Sequence, residues 1–210
     1  LNDHAVRSKP ERGQTGARSR RLILDTAAEL FSTQGYAATG LRQIADRVGI
    51  RTASLYYHFV SKERMLEEIM RIAVEDTARH TRDAVGGLPA DATPKDRIEA
   101  AVRGHLHGLH GNPHYTSVNI KGQVPRDVYR LTRPQRDGYS DYWRALLEDA
   151  QRTGWLKPEL QISLLRPLIL GTLNRTLTWF DPTLGPVDDL VVTTTQLFAG
   201  LWRPEKLSNG

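Results

Sequence analysis

The stretch Leu41 to Lys62, LRQIADRVGIRTASLYYHFVSK, limits what this 210-residue chain can fold into more than any other. Ile44, Ala45 and Val48 give a short helix one apolar edge at helical spacing. Gly49 follows at once, where a helix end favours a residue that tolerates positive φ. Ile50 restarts the apolar pattern, and Leu55 and Phe59 continue it at i+5 and i+9. A small residue where two helices touch (Ala45), glycine in the turn and an aliphatic plug beyond it (Leu55) make residues 40–59 a helix-turn-helix. The second helix leaves Arg51, Thr52, Ser54, Tyr57 and His58 to face outward. Their donors and hydroxyls have the reach for base edges and phosphates when a helix lies in the major groove. A plainer reading makes LYYHF a core aromatic cluster. Leu55 and Phe59 fit it, and Tyr56 stands between the two readings.

The flanks support the same arrangement. Ile23, Ala27, Leu30 and Phe31 form a buried stripe on a helix from Ala17 or Arg18 to Gln34, and Gly35 ends it. The Thr39 hydroxyl is placed to cap the next helix, either alone or while also holding a phosphate at the same helix N-terminus. Arg42 and Gln43 lie in that helix's first turn, where they reach a DNA backbone or groove edge or simply form a solvated face. Ser61 caps a long helix with Glu63 in its first turn, and Lys62 sits beside the end of the outward-facing helix, a good place for a phosphate contact. Met65, Leu66, Ile69, Ile72 and Ala73 line this long helix, which runs to about Val85 before Gly86, Gly87, Pro89 and Pro94 break the chain.

Three segments, RLILDTAAELFSTQGYAATGLRQIA, VGIRTASLYYHF and SKERML, in this order and spacing, resemble the DNA-binding domain of the TetR family of bacterial transcriptional regulators. The resemblance runs from Ser19 to about Thr77. One departure is Ala53, where the family often has glycine next to the DNA backbone; its methyl puts the contacts of Thr52 and Ser54 in question. The resemblance implies a basic arm over 1–17, a DNA-binding domain over 18–77 and a ligand-binding and dimerisation domain over 78–210. It further implies a homodimer on a palindromic operator in double-stranded DNA, read by Thr39, Arg42, Gln43, Arg51, Thr52, Ser54, Tyr56, Tyr57, His58 and Lys62. A dimeric repressor with a small-molecule effector is the expected function; a non-specific architectural DNA-binding protein is the alternative.

Charge placement agrees with DNA as partner. The net charge is +5, and residues 1–21 carry Arg7, Lys9, Arg12, Arg18, Arg20 and Arg21 against Asp3 and Glu11. Such an excess suits phosphate neutralisation with counterion release. A disordered solubilising arm has the same composition. Residues 64–210 are close to neutral, which weakens the architectural reading. Cysteine is absent, excluding disulfide scaffolds and thiolate metal sites. With no apolar span and no leader-like start, a cytoplasmic protein that keeps off membranes is expected.

Beyond residue 94 the pattern remains helical, over 95–109, 133–153, 159–180 and 187–202, with a short irregular stretch at 117–131 and no alternating strand run. The fold class is therefore all-α. The last two helices are apolar on more than one side, which suggests a partner chain on the second side. The resemblance implies that they form a four-helix bundle between subunits. Aromatic and polar residues near helix gaps, Tyr115, Tyr139, Trp143, Asn174, Arg175 and Trp179, are candidates for an apolar ligand pocket. WFDPTLGP and GWLKPEL resemble an actinobacterial branch of the family that includes regulators of fatty-acid and steroid catabolism responsive to acyl-CoA thioesters. His105, His107, His110 and His114 invite a metal reading, but Asn112–Pro113 interrupts their helix and no carboxylate stands nearby to orient the rings. No phosphate loop, H-E-x-x-H or G-x-S-x-G is present, so neither an enzyme nor a bound cofactor is expected.

Overall fold

The computed structural model describes residues 12–121 and 124–203. Arg7 and Lys9 of the expected arm lie outside the described residues. Ten helices follow one another: α1 (Arg12–Gln34), α2 (Leu41–Val48), α3 (Thr52–His58), α4 (Lys62–Gly86), α5 (Pro94–Gly111), α6 (Pro113–Lys121), α7 (Arg126–Leu131), α8 (Arg133–Arg152), α9 (Ile162–Arg175) and α10 (Val187–Leu197). The described residues contain no strand, only an isolated bridge between Leu156 and Trp202.

Two apolar cores divide the molecule. The first joins Ile23, Leu30 and Phe31 of α1, Ile44 and Ala45 of α2, Leu55 and Phe59 around α3, and Met65, Leu66 and Ile69 of α4. The second joins Ile98 and Leu106 of α5, Tyr139, Trp143 and Leu147 of α8, Ile169 and Leu173 of α9, and Leu190 and Val191 of α10. α4 belongs to both, through Met70 and Ala73 at one end and Val74 and Ala78 at the other. It is capped by Ser61, whose hydroxyl accepts from the Arg64 N–H at 3.3 Å.

α5 lies flush against the second half of α4, and two glycines make that possible. A Cβ on Gly104 would stand 2.4 Å from the His80 carbonyl oxygen and 2.6 Å from Thr81 Cα. One on Gly108 would stand 2.8 Å from Thr77 Cα. The N-terminus of α5 is fixed by a capping box in which Thr93 and Asp96 satisfy each other's backbone N–H groups. That hydrogen bonding holds the Asp96 carboxyl below its usual range.

Several boundaries differ from expectation. α1 begins at Arg12, several residues early. The stretch expected to be irregular contains α6 and α7, and Pro113 opens α6 at a position where its missing N–H costs nothing. α9 ends at Arg175 and passes into a tighter 3-10 turn over Thr176–Thr178. There the Thr176 and Thr178 hydroxyls donate to the carbonyls of Leu173 at 2.6 Å and Arg175 at 2.8 Å, local bonds that compete with a continuing α-helix.

Candidate DNA interface and effector cavity

The seven-residue α3 is too short to be stable alone and is held by its docking. Leu55 and Phe59 are buried beneath it. The turn before it closes on Gly49, at φ 78°, with the Ile50 N–H donating to the Ala45 carbonyl at 3.0 Å and the Gly49 N–H to that of Asp46 at 3.2 Å. This pair of bonds is the Schellman ending that Gly49 makes possible. Arg20 of α1 reaches across, paired with Glu68 of α4 and lying 4.4 Å from the Phe59 ring centre. With its back fixed in this way, α3 presents the remaining residues outward. Tyr57 is 88% exposed and Tyr56 52%. Arg51 and Ser54 are exposed, Thr52 and His58 half-buried. The Tyr57 and His58 rings meet edge to face at 5.4 Å.

Arg42 and Gln43 are exposed on α2, Gln43 donating to the Gln34 side chain at 2.8 Å. Thr39 and Lys62 serve the turn between α1 and α2. Thr39 is buried, and its hydroxyl donates to the Gly35 carbonyl at 2.9 Å. The residue at the helix cap is Gly40, so the expected side-chain cap by Thr39 is not made. The Lys62 ammonium donates to the carbonyls of Tyr36 and Thr39, both at 2.9 Å, and lies 4.3 Å from the Tyr36 ring centre. A turn opened by Gly35 at φ 91° leaves carbonyls without helical partners, and these two side chains supply them. The Tyr36 hydroxyl donates to Glu63 at 2.9 Å. The Glu63 carboxyl is held low by its own backbone N–H first, then by Ser61 and Tyr36. Two arginines counted in the basic excess are paired with carboxylates of the protein, the half-buried Arg20 with Glu68 and the exposed Arg21 with Asp25, and Arg18 is exposed as well.

A cavity of about 170 Å³ opens in the other half, bounded by α4, α5, α6, α8 and α9. Its polar centre is His105. Nδ1 lies 2.7 Å from the Tyr139 hydroxyl, and Nε2 lies 3.2 Å from Asn174 Oδ1. Burial lowers the His105 pKa to about 4, against the opposing hydrogen bond from Asn174 and with the help of nearby His110. The ring is therefore neutral at pH 7. The Asn174 oxygen assigns its one proton to Nε2, so the Tyr139 hydroxyl donates to Nδ1. Burial raises the Tyr139 pKa to about 12, and Thr81 stands 2.7 Å from the same hydroxyl.

Of the sequence candidates for a ligand, Tyr139 and Asn174 line this cavity. Trp143 is buried behind it, edge-on to His105 at 6.0 Å. Tyr115 packs into the first core instead, and its hydroxyl donates to Asp25 of α1 at 2.8 Å. Arg175 and Trp179 face outward. The four histidines diverge: His105 enters the cavity, His107 meets Asp188, His110 meets Thr176, and His114 meets Ser32. Arg136 was not a sequence candidate for the cavity, and His105 stood out only within the cluster of four histidines. Gly104 and Gly108 were the available signal that α5 approaches α4 closely enough to bury whatever stands beside them.

Residues 23–69 match the model of the tetR family of bacterial regulatory proteins, and residues 91–195 match that of a tetracyclin repressor-like C-terminal domain. The chain belongs to the TetR family. It is therefore a DNA-binding transcriptional regulator and not an enzyme. Among its relatives is the HTH-type transcriptional repressor KstR2 of Rhodococcus jostii (strain RHA1), 29% identical over 81% of this chain and 82% of that protein. The fatty acid metabolism regulator protein of Bacillus subtilis (strain 168) is 23% identical over 74% of this chain and 80% of that protein. The fold matches the structure of the ketosteroid transcriptional regulator KstR2 of Mycobacterium tuberculosis with a TM-score of 0.77, at 24% identity over 88% of this chain and 95% of that one. The TetR family transcriptional regulator PfmR from Thermus thermophilus matches with a TM-score of 0.73, at 27% identity over 83% of this chain and 95% of that one.

Proposed function

We propose that this TetR-family regulator is a cytoplasmic homodimeric repressor, released from a palindromic operator by a small apolar or acyl-CoA-like effector. The observation that carries the reading is α3. Two buried residues fix its back while Arg51, Ser54, Tyr56 and Tyr57 stand in solvent. A rigid helix with a free polar and aromatic face is what entry into a major groove requires. Thr52, His58, Arg42 and Gln43 flank that face. Thr39 and Lys62 contribute by holding the turn that orients it.

The second copy is argued from α9, α10 and the turn between them. Leu164, Leu168, Leu184, Val192 and Leu197 are each at least half exposed. A patch of this kind on a regulator needs cover, and two-fold pairing would space two reading helices for two half-sites. The names of the relatives, a KstR2 repressor and a fatty acid metabolism regulator, favour repression and an effector drawn from lipid or steroid breakdown.

Regulation follows from linkage. An effector that fits one arrangement of the cavity better than another lowers DNA affinity by its differential binding free energy. α4 belongs to both cores, and α6 adds a second connection. Thr116 lines the cavity, while its neighbour Tyr115 is bonded to Asp25 of α1. The test is a gel-shift titration against operator fragments selected from random DNA, with octanoyl-CoA added to the preformed complex. Sequence-dependent binding at one dimer per site, weakened by the thioester, is expected. Binding indifferent to DNA sequence would refute the proposal.

A further inference from the structure

We infer that the cavity is built for a compact monocarboxylate, whose carboxylate sits against Arg136 and whose body is about the size of one six-membered ring. The inference rests on the reading above that this cavity receives the effector, and it narrows the chemistry.

The first observation is charge. Arg136 lines the cavity, and among the described residues no Asp or Glu does. Within the same residues Arg136 makes no ion pair. Its Nη2 donates to the Tyr129 carbonyl at 2.5 Å, and its guanidinium lies 3.4 Å from the Tyr129 ring centre. Its Nε is buried and has no hydrogen-bond partner. Arg136 as a whole is half-buried, so the cost falls on this one enclosed donor, and a carboxylate from a ligand would offset it. An arginine held by stacking and by one carbonyl is also preorganised, so little side-chain entropy remains to be lost on binding.

The second observation is size. About 170 Å³ is close to the roughly 150 Å³ of an engineered cavity that takes benzene. It is well below the several hundred Å³ typical of drug-sized sites. Only the acyl end of a CoA thioester is of that size, and its nucleotide would extend beyond the cavity. The third is the rest of the lining. Ala73, Val74, Leu109 and Leu170 are apolar, while Thr77, His105, Thr116, Tyr139, Ser140 and Asn174 add neutral polar groups. That lining accepts a hydrocarbon body with neutral hydrogen-bonding groups.

The experiment is calorimetric titration of the full-length protein, without DNA, against benzoate, phenylacetate and cyclohexanecarboxylate, each beside its primary amide. Octanoyl-CoA is a separate arm. At least one acid is expected to bind with a sub-millimolar Kd and raise Tm, with its amide at least tenfold weaker. Arg136→Gln should abolish the preference for acid over amide, and Arg136→Lys should keep part of it. If Arg136→Gln does not fold, the acid–amide comparison on the unaltered chain decides alone. The inference fails if no acid binds, if amides bind as well as acids, or if Arg136→Gln retains the preference. Octanoyl-CoA binding without acid binding would also overturn it, while leaving the repressor reading intact. Acid binding that leaves the operator complex unchanged would support the inference and count against the repressor mechanism.

Discussion

The two halves of this molecule use the same helices and buried side chains for opposite ends. The N-terminal half buries its apolar residues so that what remains, the outer face of α3, is free to be the working surface we propose. The half with the cavity buries His105 and Tyr139, half-buries Asn174, and leaves aliphatic residues outside on α9 and α10. A binding surface needs only a firm back. A binding cavity needs groups from five helices to converge and each buried polar atom to find a partner. On the proposed reading, exposure marks function in one half, and burial of polar residues marks it in the other.

Substitutions can press on that contrast. The largest effect is expected from Leu55→Ala, which removes the plug beneath α3 and should cost about 2–5 kcal/mol. All four tryptophans lie at or beyond Trp143, in the effector half. Because α4 carries both cores, the urea midpoint followed by tryptophan fluorescence should fall with the loss of DNA binding. An unchanged midpoint would show that the halves unfold separately. Gly104→Ala forces a methyl against the His80 carbonyl and should cost about 3 kcal/mol, read in the same urea titration.

Acid offers a third test, directed at the effector half. His105 is held neutral, with a folded pKa of about 4 against an ordinary 6.5. The unfolded chain therefore takes up the proton first. The stabilisation from the neutral ring is complete above pH 6.5 and is lost as the pH falls toward 4, by about 3 kcal/mol. Urea midpoints between pH 7 and 4.5 should follow that slope, and His105→Gln should flatten it. Tyr115→Phe is the mildest change. Removing the bond to Asp25 should cost about 1 kcal/mol, and it should reduce the effect of effector on operator affinity more than the affinity itself. A gel shift with and without effector separates the two.

The difference between the halves also explains how much was legible beforehand. Ile44, Ala45, Gly49, Leu55 and Phe59 lie within sixteen residues of chain, so spacing alone placed them on the inner face and Tyr57 on the outer one. Thr39 and Lys62 also serve the turn after Gly35, a role hidden from the sequence because the carbonyls that need them come from a backbone reversal that no periodicity reveals. The cavity was half legible. Tyr139 and Asn174 stood out as polar or aromatic interruptions, but Tyr115 looks similar in sequence and packs into the other core. Arg136 looked like one more surface arginine on α8. Only the approach of Tyr129 and the lack of a carboxylate among the described cavity residues distinguish it.

The central claim is that the exposed face of α3 reads DNA while the buried network in the other half does not. Operator affinity of Tyr57→Ala, measured by fluorescence anisotropy beside its urea midpoint, tests it most directly. The account predicts at least a tenfold loss of affinity with the midpoint unchanged. Full affinity for the operator in that variant would contradict it.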